Sequence, residues 1–271
     1  MNHPHRRAVC IAPAKINLGL RILERRPDGF HSIETVFQTL GLGDEIEVLD
    51  DGRAGFSCDL PGLQPEKNLA FQARSLFAAV VPAAAKVSLK IAKHIPAGGG
   101  LGGGSSDAAA VLLLLSGLFP EARLDLDTLA LRLGSDVPFF LHPPTAHATG
   151  RGEILIPIPN IPLPKITLIL PPFGCSTPAV FQALTAAERG PRQAMGARAW
   201  SELWQQNPRL ALHNDLSAPA RRVEPRMQIL HDWLAQQPYP SAMSGSGSTC
   251  YVLGPVTTPP PLEGVRILTL P

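Results

Sequence analysis

The chain has 271 residues, 45% of them hydrophobic, with 24 Lys and Arg set against 22 Asp and Glu for a net charge of +2; this suits one large domain or two modest ones and excludes a disordered or fibrous chain. No stretch concentrates Lys and Arg among aromatics, so a nucleic-acid groove is not expected. The opening residues lack an apolar core ahead of Lys15, which makes a poor signal peptide. The longest apolar run, 108–115, falls far short of the ~20 residues that cross a bilayer, so a cytoplasmic protein with no membrane partner is expected.

Residues 14–22 alternate, with Ala14, Ile16, Leu18 and Leu20 on one face and Lys15, Asn17, Gly19 and Arg21 on the other: a half-buried strand with a polar working face. Pro27, Asp28 and Gly29 form a turn, and the run 33–40 continues as a second strand, making a hairpin. Residues 44–49 alternate again. Asn68 then reads as the N-cap of a helix with Leu69, Ala73, Leu76, Phe77 and Val80 on one stripe, ended by Pro82. A strand through Val87, Leu89 and Ile91 leads into a glycine-rich stretch, and a helix from Ser106 to about Ser116, closed by Gly117, follows.

Another helix is expected over 126–133, and "GSDVPFFL" turns the chain at Gly134 and Pro138. Four prolines between 157 and 164 mark a linker, which places a domain boundary between 158 and 159. Beyond it come a strand at "KITLILP" and a helix with Thr177 as N-cap and Pro178 at its first position, carrying Val180, Phe181 and Leu184. Helical stretches follow at 199–205 and 225–237, then "SGSGST", a short strand "CYVL" and a last strand "VRILTL". The four cysteines, Cys10, Cys58, Cys175 and Cys250, show no CxxC or metal spacing and fit reduced thiols in a cytosolic enzyme.

The feature that carries chemistry is "PAGGGLGGGSSDAAA", residues 96–110, with six glycines in seven positions. A P-loop requires GxxxxGK[ST], and the chain contains no Gly-Lys pair. Gly98, Gly100 and Gly103 satisfy GxGxxG, but the strand that completes a dinucleotide-binding βαβ unit is missing, since "PEARLDLDTLALRL" reads as loop and helix. A flexible linker seldom runs from a strand into an apolar helix. The remaining reading is a phosphate cradle: glycines let backbone amides approach an anion, and the helix that follows adds N–H groups and the positive end of its dipole.

"PAGGGLGGGSSDAA" resembles the phosphate-binding motif of the GHMP kinase superfamily. "APAKINLGL", "RPDGFHSIETVFQ", "GSDVPFF", "ATGRGE" and "SGSGST" extend the resemblance from residue 12 to 248, closest to the members that act on a cytidine diphosphate-linked alcohol. The resemblance implies an α+β, two-domain GHMP-kinase-like fold, with an ATP-binding domain over 1–158, a C-terminal domain over 159–271 and an active site in the cleft between them. It implies an ATP-dependent kinase that phosphorylates the 2-hydroxyl of 4-diphosphocytidyl-2-C-methyl-D-erythritol in the non-mevalonate route to isoprenoid precursors. The alternatives are another small-alcohol kinase of mevalonate or homoserine type, or a nonenzymatic nucleotide-binding regulator. A monomer or weak homodimer is expected.

The same resemblance assigns catalysis to Lys15 and Asp136, with Asp136 either accepting the proton or orienting the hydroxyl. ATP is assigned to Pro96, Ala97, Gly98, Gly99, Gly100, Leu101, Gly102, Gly103, Gly104, Ser105 and Ser106, with Asn68 and Lys93 at the base; Ser106 is also a candidate Mg2+ ligand beside its capping role. The cytidine substrate is assigned to Asn17, Phe30, His31, Thr177, Phe181, Gly245 and Ser246, with Phe30 and Phe181 as plates around the pyrimidine. Phe30 stands where relatives often carry tyrosine, so stacking is retained and a phenolic hydrogen bond is absent.

Overall fold

A computed structural model describes residues 6–60, 64–142, 144–159, 161, 163–188 and 193–270 of the chain; Pro162 of the expected linker lies outside them. Two compact units emerge, neither continuous in sequence: Met1–Ala14, Leu42–Ile95 and Gly102–Pro143 form the first, and Lys15–Gly41, Pro96–Leu101 and Pro144–Pro271 the second. The interleaving comes from two long strands. The alternating stretches 14–22 and 44–49 and the run 33–40 belong to β1 (Arg6–Arg25) and β2 (His31–Asp50), 20 residues each, which pair with one another and contribute to both units. The boundary expected at 158/159 falls inside the second unit.

In the first unit, β3 (Phe56–Cys58) lies parallel to β4 (Ser88–Ala92), and β4 pairs antiparallel with residues 45–49 of β2. Helix α1 (Leu69–Ala78) starts at Asn68, whose side chain accepts from the Ala70 N–H at 2.9 Å. Helix α2 spans Gly103–Leu118 and packs against α1 and against α3 (Leu126–Leu133). Because α2 is apolar around most of its girth, it is a core helix rather than an amphipathic surface one.

Its limits correct the sequence reading: it begins three residues before Ser106 and runs through Gly117 to Leu118. Glycine has poor helix propensity, but tertiary packing decides here. The Cα of Gly103 sits where a Cβ would lie 3.1 Å from Ile95, and Gly104 faces Leu69.

In the second unit, β5 (Thr145–Thr149) pairs with residues 35–38 of β2, and β6 (Ile154–Pro157) pairs with β5. A second antiparallel sheet has the order β10-β7-β9-β8, with β7 at Ile166–Leu170, β8 at Ser241–Met243, β9 at Cys250–Val252 and β10 at Arg266–Leu270. Helices α4 (Thr177–Gln182), α5 (Ala197–Gln206), α6 (Pro208–Ala211), α7 (Ser217–Val223) and α8 (Met227–Ala235) complete it. Its core joins Leu20, Ile22, Ile169, Val180, Leu230 and Trp233.

Ser176, not Thr177, is the N-cap of α4, and Thr177 is its first helical residue. Among the described residues no helix is long and apolar enough to cross a membrane, and all four cysteines are free.

Candidate active site

The glycine stretch leaves the second unit at Leu101 and enters the first at Gly102. Gly98, Gly100 and Gly102 hold φ of +73°, +76° and +72°, an alternation of left-handed residues of the kind from which backbone N–H concavities are built. The loop is pinned by tertiary contact. A Cβ on Gly100 would lie 2.6 Å from the Ser244 carbonyl oxygen, and one on Gly99 would lie 2.4 Å from Thr249 Oγ1. Thr249 N–H donates to the Gly99 carbonyl at 3.3 Å, and the Ser244 hydroxyl donates to the Gly100 carbonyl at 3.2 Å. "SGSGST" thus packs on the glycine loop within the second unit, with Ser246 buried and Gly245 at φ +57°.

Lys15 and Asn17 point from the same face of β1, and both are buried, at 4% and 3% exposure. The expected half-buried strand is therefore covered on both faces. A buried amine and amide need partners, and they have them: Lys15 Nζ donates to Asn17 Oδ1 at 2.8 Å and lies 4.8 Å from the centre of the Phe37 ring. Asn17 Nδ2 donates to Thr35 Oγ1 at 3.0 Å, and the Tyr251 hydroxyl donates to the Asn17 carbonyl at 2.8 Å. The backbone N–H of Lys15 donates to the Leu101 carbonyl at 2.9 Å, which ties this strand directly to the glycine loop.

In the first unit, Lys93 Nζ donates to Asp107 Oδ2 at 2.6 Å and also to Asp44 Oδ2. Asp44 Oδ1 in turn accepts the N–H of Ile95 at 2.7 Å, so one fully buried carboxylate orders the chain that feeds the glycines. Burial pushes the Asp107 carboxyl up to about 7 against the pull of Lys93, and Asp44 pushes it the same way. Lys93 is itself raised: burial opposes its charge, but Asp107 and then Asp44 outweigh it. Two carboxylates share one ammonium, leaving Lys93 one donor for a ligand. Asn68 spends its Oδ1 on the α1 cap and keeps its amide protons. Asp136 lies half-buried in the turn between α3 and the short helical turn Pro138–Leu141.

Among the residues assigned to cytidine, the His31 and Phe181 rings are 5.4 Å apart and tilted by 35°. Phe30 is 55% exposed, and the Arg151 guanidinium lies 4.9 Å from its ring centre. Thr177 Oγ1 and Ser246 Oγ share a hydrogen bond of 2.8 Å, joining the start of α4 to the second glycine segment.

The GHMP kinases N terminal domain pattern matches residues 68–143. A 4-diphosphocytidyl-2-C-methyl-D-erythritol kinase of Aromatoleum aromaticum is 36% identical over 252 residues, which cover 91% of this chain and 84% of that protein. The chain belongs to the 4-diphosphocytidyl-2-C-methyl-D-erythritol kinase family. A family member from Burkholderia thailandensis is 43% identical over 176 residues, a match that spans 64% of this chain and 60% of that relative's own length. The crystal structure titled 4-(cytidine 5'-diphospho)-2C-methyl-D-erythritol kinase superposes with a TM-score of 0.79 at 36% identity, covering 91% of this chain and 90% of that one.

Family motifs singled out most of these positions but not the contacts that hold them. Asp44 and Tyr251 lie outside every motif and meet motif residues only through the fold; Thr35, Asp107, Ser244 and Thr249 lie inside motifs, but their partners there are set by the fold. Arg151 carried a signal, since it sits inside "ATGRGE", and its stacking on Phe30 adds it to the set of candidate ligand contacts.

Proposed function

We propose that the chain transfers the γ-phosphoryl group of ATP to the 2-hydroxyl of 4-diphosphocytidyl-2-C-methyl-D-erythritol. The observation that carries this reading is the anchoring of Lys15. Its ammonium is buried and held by Asn17, while its backbone N–H is held by the loop carbonyl of Leu101. A cation fixed to the phosphate cradle suits phosphoryl transfer, in which positioning and charge stabilisation account for most of the catalysis.

In this reading the amides of residues 98–104 and the α2 N-terminus hold the triphosphate, with Ser105 and Ser106 adding hydroxyls. Asn68 and the remaining donor of Lys93 serve the nucleotide end. Lys15 neutralises charge on the transferred group, and Asp136 orients the acceptor hydroxyl and takes its proton. Asn17 and Gly245 serve the methylerythritol end; His31 and Phe181, with Phe30 and Arg151, serve the cytosine, and Thr177 with Ser246 the diphosphate. The free thiols accord with a reducing, cytoplasmic setting.

Mg2+ fits one observation: Ser106 Oγ is buried, with no hydrogen-bond partner in the protein, at the start of α2. Among the described residues no group of three or more His, Cys, Asp or Glu forms a cage, as suits an ion held largely by nucleotide phosphates and water. Such an ion would neutralise charge on the β- and γ-phosphates.

The test is ADP release from MgATP with 4-diphosphocytidyl-2-C-methyl-D-erythritol, mevalonate, homoserine or no acceptor. Turnover with the cytidyl substrate alone supports the reading. Turnover with another alcohol refutes the cytosine assignments, and ATP binding without turnover refutes the kinase.

A further inference from the structure

A cavity of about 620 Å3 opens in the second unit, lined by none of the residues assigned above but by Arg21, Glu188, His213, Asp215, Arg221 and His231, with Asn214 of its wall bonded to Gly245. Its volume lies in the range of about 300–1,000 Å3 typical of small-molecule sites. A smaller neighbour of about 260 Å3 shares His213, Arg221 and His231 with it and adds Arg209.

The charges of this cavity do not cancel. Of its two acids, Glu188 is clasped by both terminal nitrogens of Arg222, a residue outside the lining, and also accepts from Thr185. Asp215 gives Oδ2 to the Ile22 N–H at 2.7 Å and Oδ1 to His213 Nε2 at 2.7 Å. Asp232, 3.4 Å from His231 Nδ1, also takes the Gln228 amide at 2.7 Å. Arg209 is committed to the carbonyls of Gln237 and Pro238.

Arg21 and Arg221 are left over. Among the described residues neither has an acidic partner within ion-pair distance, and Arg221 Nη1 is buried with no hydrogen-bond partner. A buried guanidinium N–H without an acceptor is costly, and the planar fork of arginine matches phosphate oxygens in pairs. The wall is also rigid: Leu20 N–H donates to the His213 carbonyl at 2.8 Å, and Asn214 Nδ2 donates to the carbonyls of Met243 and Gly245 at 2.8 and 2.9 Å. A preformed wall lowers the ordering cost of binding.

We propose that this cavity is an anion site that takes a phosphate-bearing small molecule, gripped by Arg21 and Arg221 with His213 and His231 alongside. It is separate from the glycine loop and does not depend on the kinase reading.

The experiment titrates the full chain, in the presence of ADP, with pyrophosphate, inorganic phosphate or acetate, and follows the imidazole NMR signals of His213, His231 and His94. The expected result is a saturable shift of His213 and His231 with the phosphate probes, weaker with acetate, and an affinity for pyrophosphate that falls about tenfold in Arg221→Gln and in Arg21→Gln. Methyl dispersion in the same spectra reports folding; should Arg221→Gln fail to fold, Arg21→Gln carries the comparison. Unmoved His213 and His231 signals, a shift confined to His94, equal affinity for acetate, or wild-type affinity in a folded variant would each overturn the proposal.

Discussion

Replacing Gly98 and Gly100 separately by alanine distinguishes backbone strain from collision within one loop. Both hold left-handed φ, +73° and +76°, where an L-residue costs about 1–2 kcal/mol. They differ in surroundings: nothing lies within 4 Å of a Cβ on Gly98, whereas a Cβ on Gly100 would sit 2.6 Å from the Ser244 carbonyl oxygen and 3.3 Å from that of Gly247. Gly98→Ala therefore carries the conformational term alone, a Tm drop of about 2–4 °C for each kcal/mol lost. Gly100→Ala adds a contact that only backbone movement relieves, and the backbone that must move is the second glycine segment. We expect it to lose more stability and to raise the KM for ATP by about tenfold or more, since each ~1.4 kcal/mol lost in binding is tenfold. Calorimetry and steady-state ADP release on both variants read these terms. Equal Tm and equal KM for the two variants would refute the argument, because the collision would then contribute nothing.

Asp136→Asn should lower kcat by about 10²–10⁴-fold with the KM for ATP unchanged, and steady-state kinetics at saturating acceptor reads the split. Phe181→Ala should raise the KM for the cytidyl acceptor about tenfold, the scale of one base-stacking contact, while leaving that for ATP alone; parallel losses would instead mark a packing residue. Glu34→Gln should destabilise the second unit by about 1–3 kcal/mol at neutral pH, measured by urea denaturation. The buried Glu34 carboxylate accepts His147 Nε2 at 2.8 Å and the N–H groups of Met195 and Gly196 at 2.9 and 2.7 Å, and an amide would set donor against donor. Burial works to raise the Glu34 pKa, but the bonds from His147, Met195 and Gly196 outweigh it and leave it lowered. Its stabilisation is thus complete above the ordinary carboxylate range and is lost as pH falls through the depressed value, so wild type and Glu34→Gln should converge in acid.

What the sequence made legible follows from locality. The α1 cap at Asn68 and the helix Leu126–Leu133 were readable because caps and 3.6-residue periodicity are local properties. The start of α2 was not, because it opens on two glycines of poor helix propensity, and the close approach of Ile95, Asp44 and Leu69 that leaves room only for small residues there is a tertiary feature. The five-residue β5 and three-residue β8 are too short for alternation to register, and Pro219 disguises α7. In the candidate site, family motifs supplied the residue types at Lys15, Asn17 and the glycines. They could not show that the polar face of β1 is buried, since its cover comes from Ser244, Gly245 and Tyr251, more than 200 positions away.

That distant cover explains why two glycine-rich segments are needed rather than one. The Ser244 hydroxyl donates to the Gly100 carbonyl at 3.2 Å and accepts from the Asn17 N–H at 3.4 Å, while its own carbonyl occupies the space a side chain at position 100 would need. A single buried residue therefore touches the glycine loop on one side and the strand bearing Lys15 and Asn17 on the other. Both bonds are long, so neither contributes much energy alone. What they supply is registration: the loop cannot shift along β1 without breaking these contacts and the bond between Lys15 N–H and the Leu101 carbonyl. For a reaction whose catalysis is chiefly positioning, misplacement by about 1 Å costs on the order of a hundredfold in rate. Glycines at the contact achieve that registration because they let the Ser244 carbonyl and its one short hydroxyl side chain close directly on the loop backbone, leaving little room for the two segments to slide.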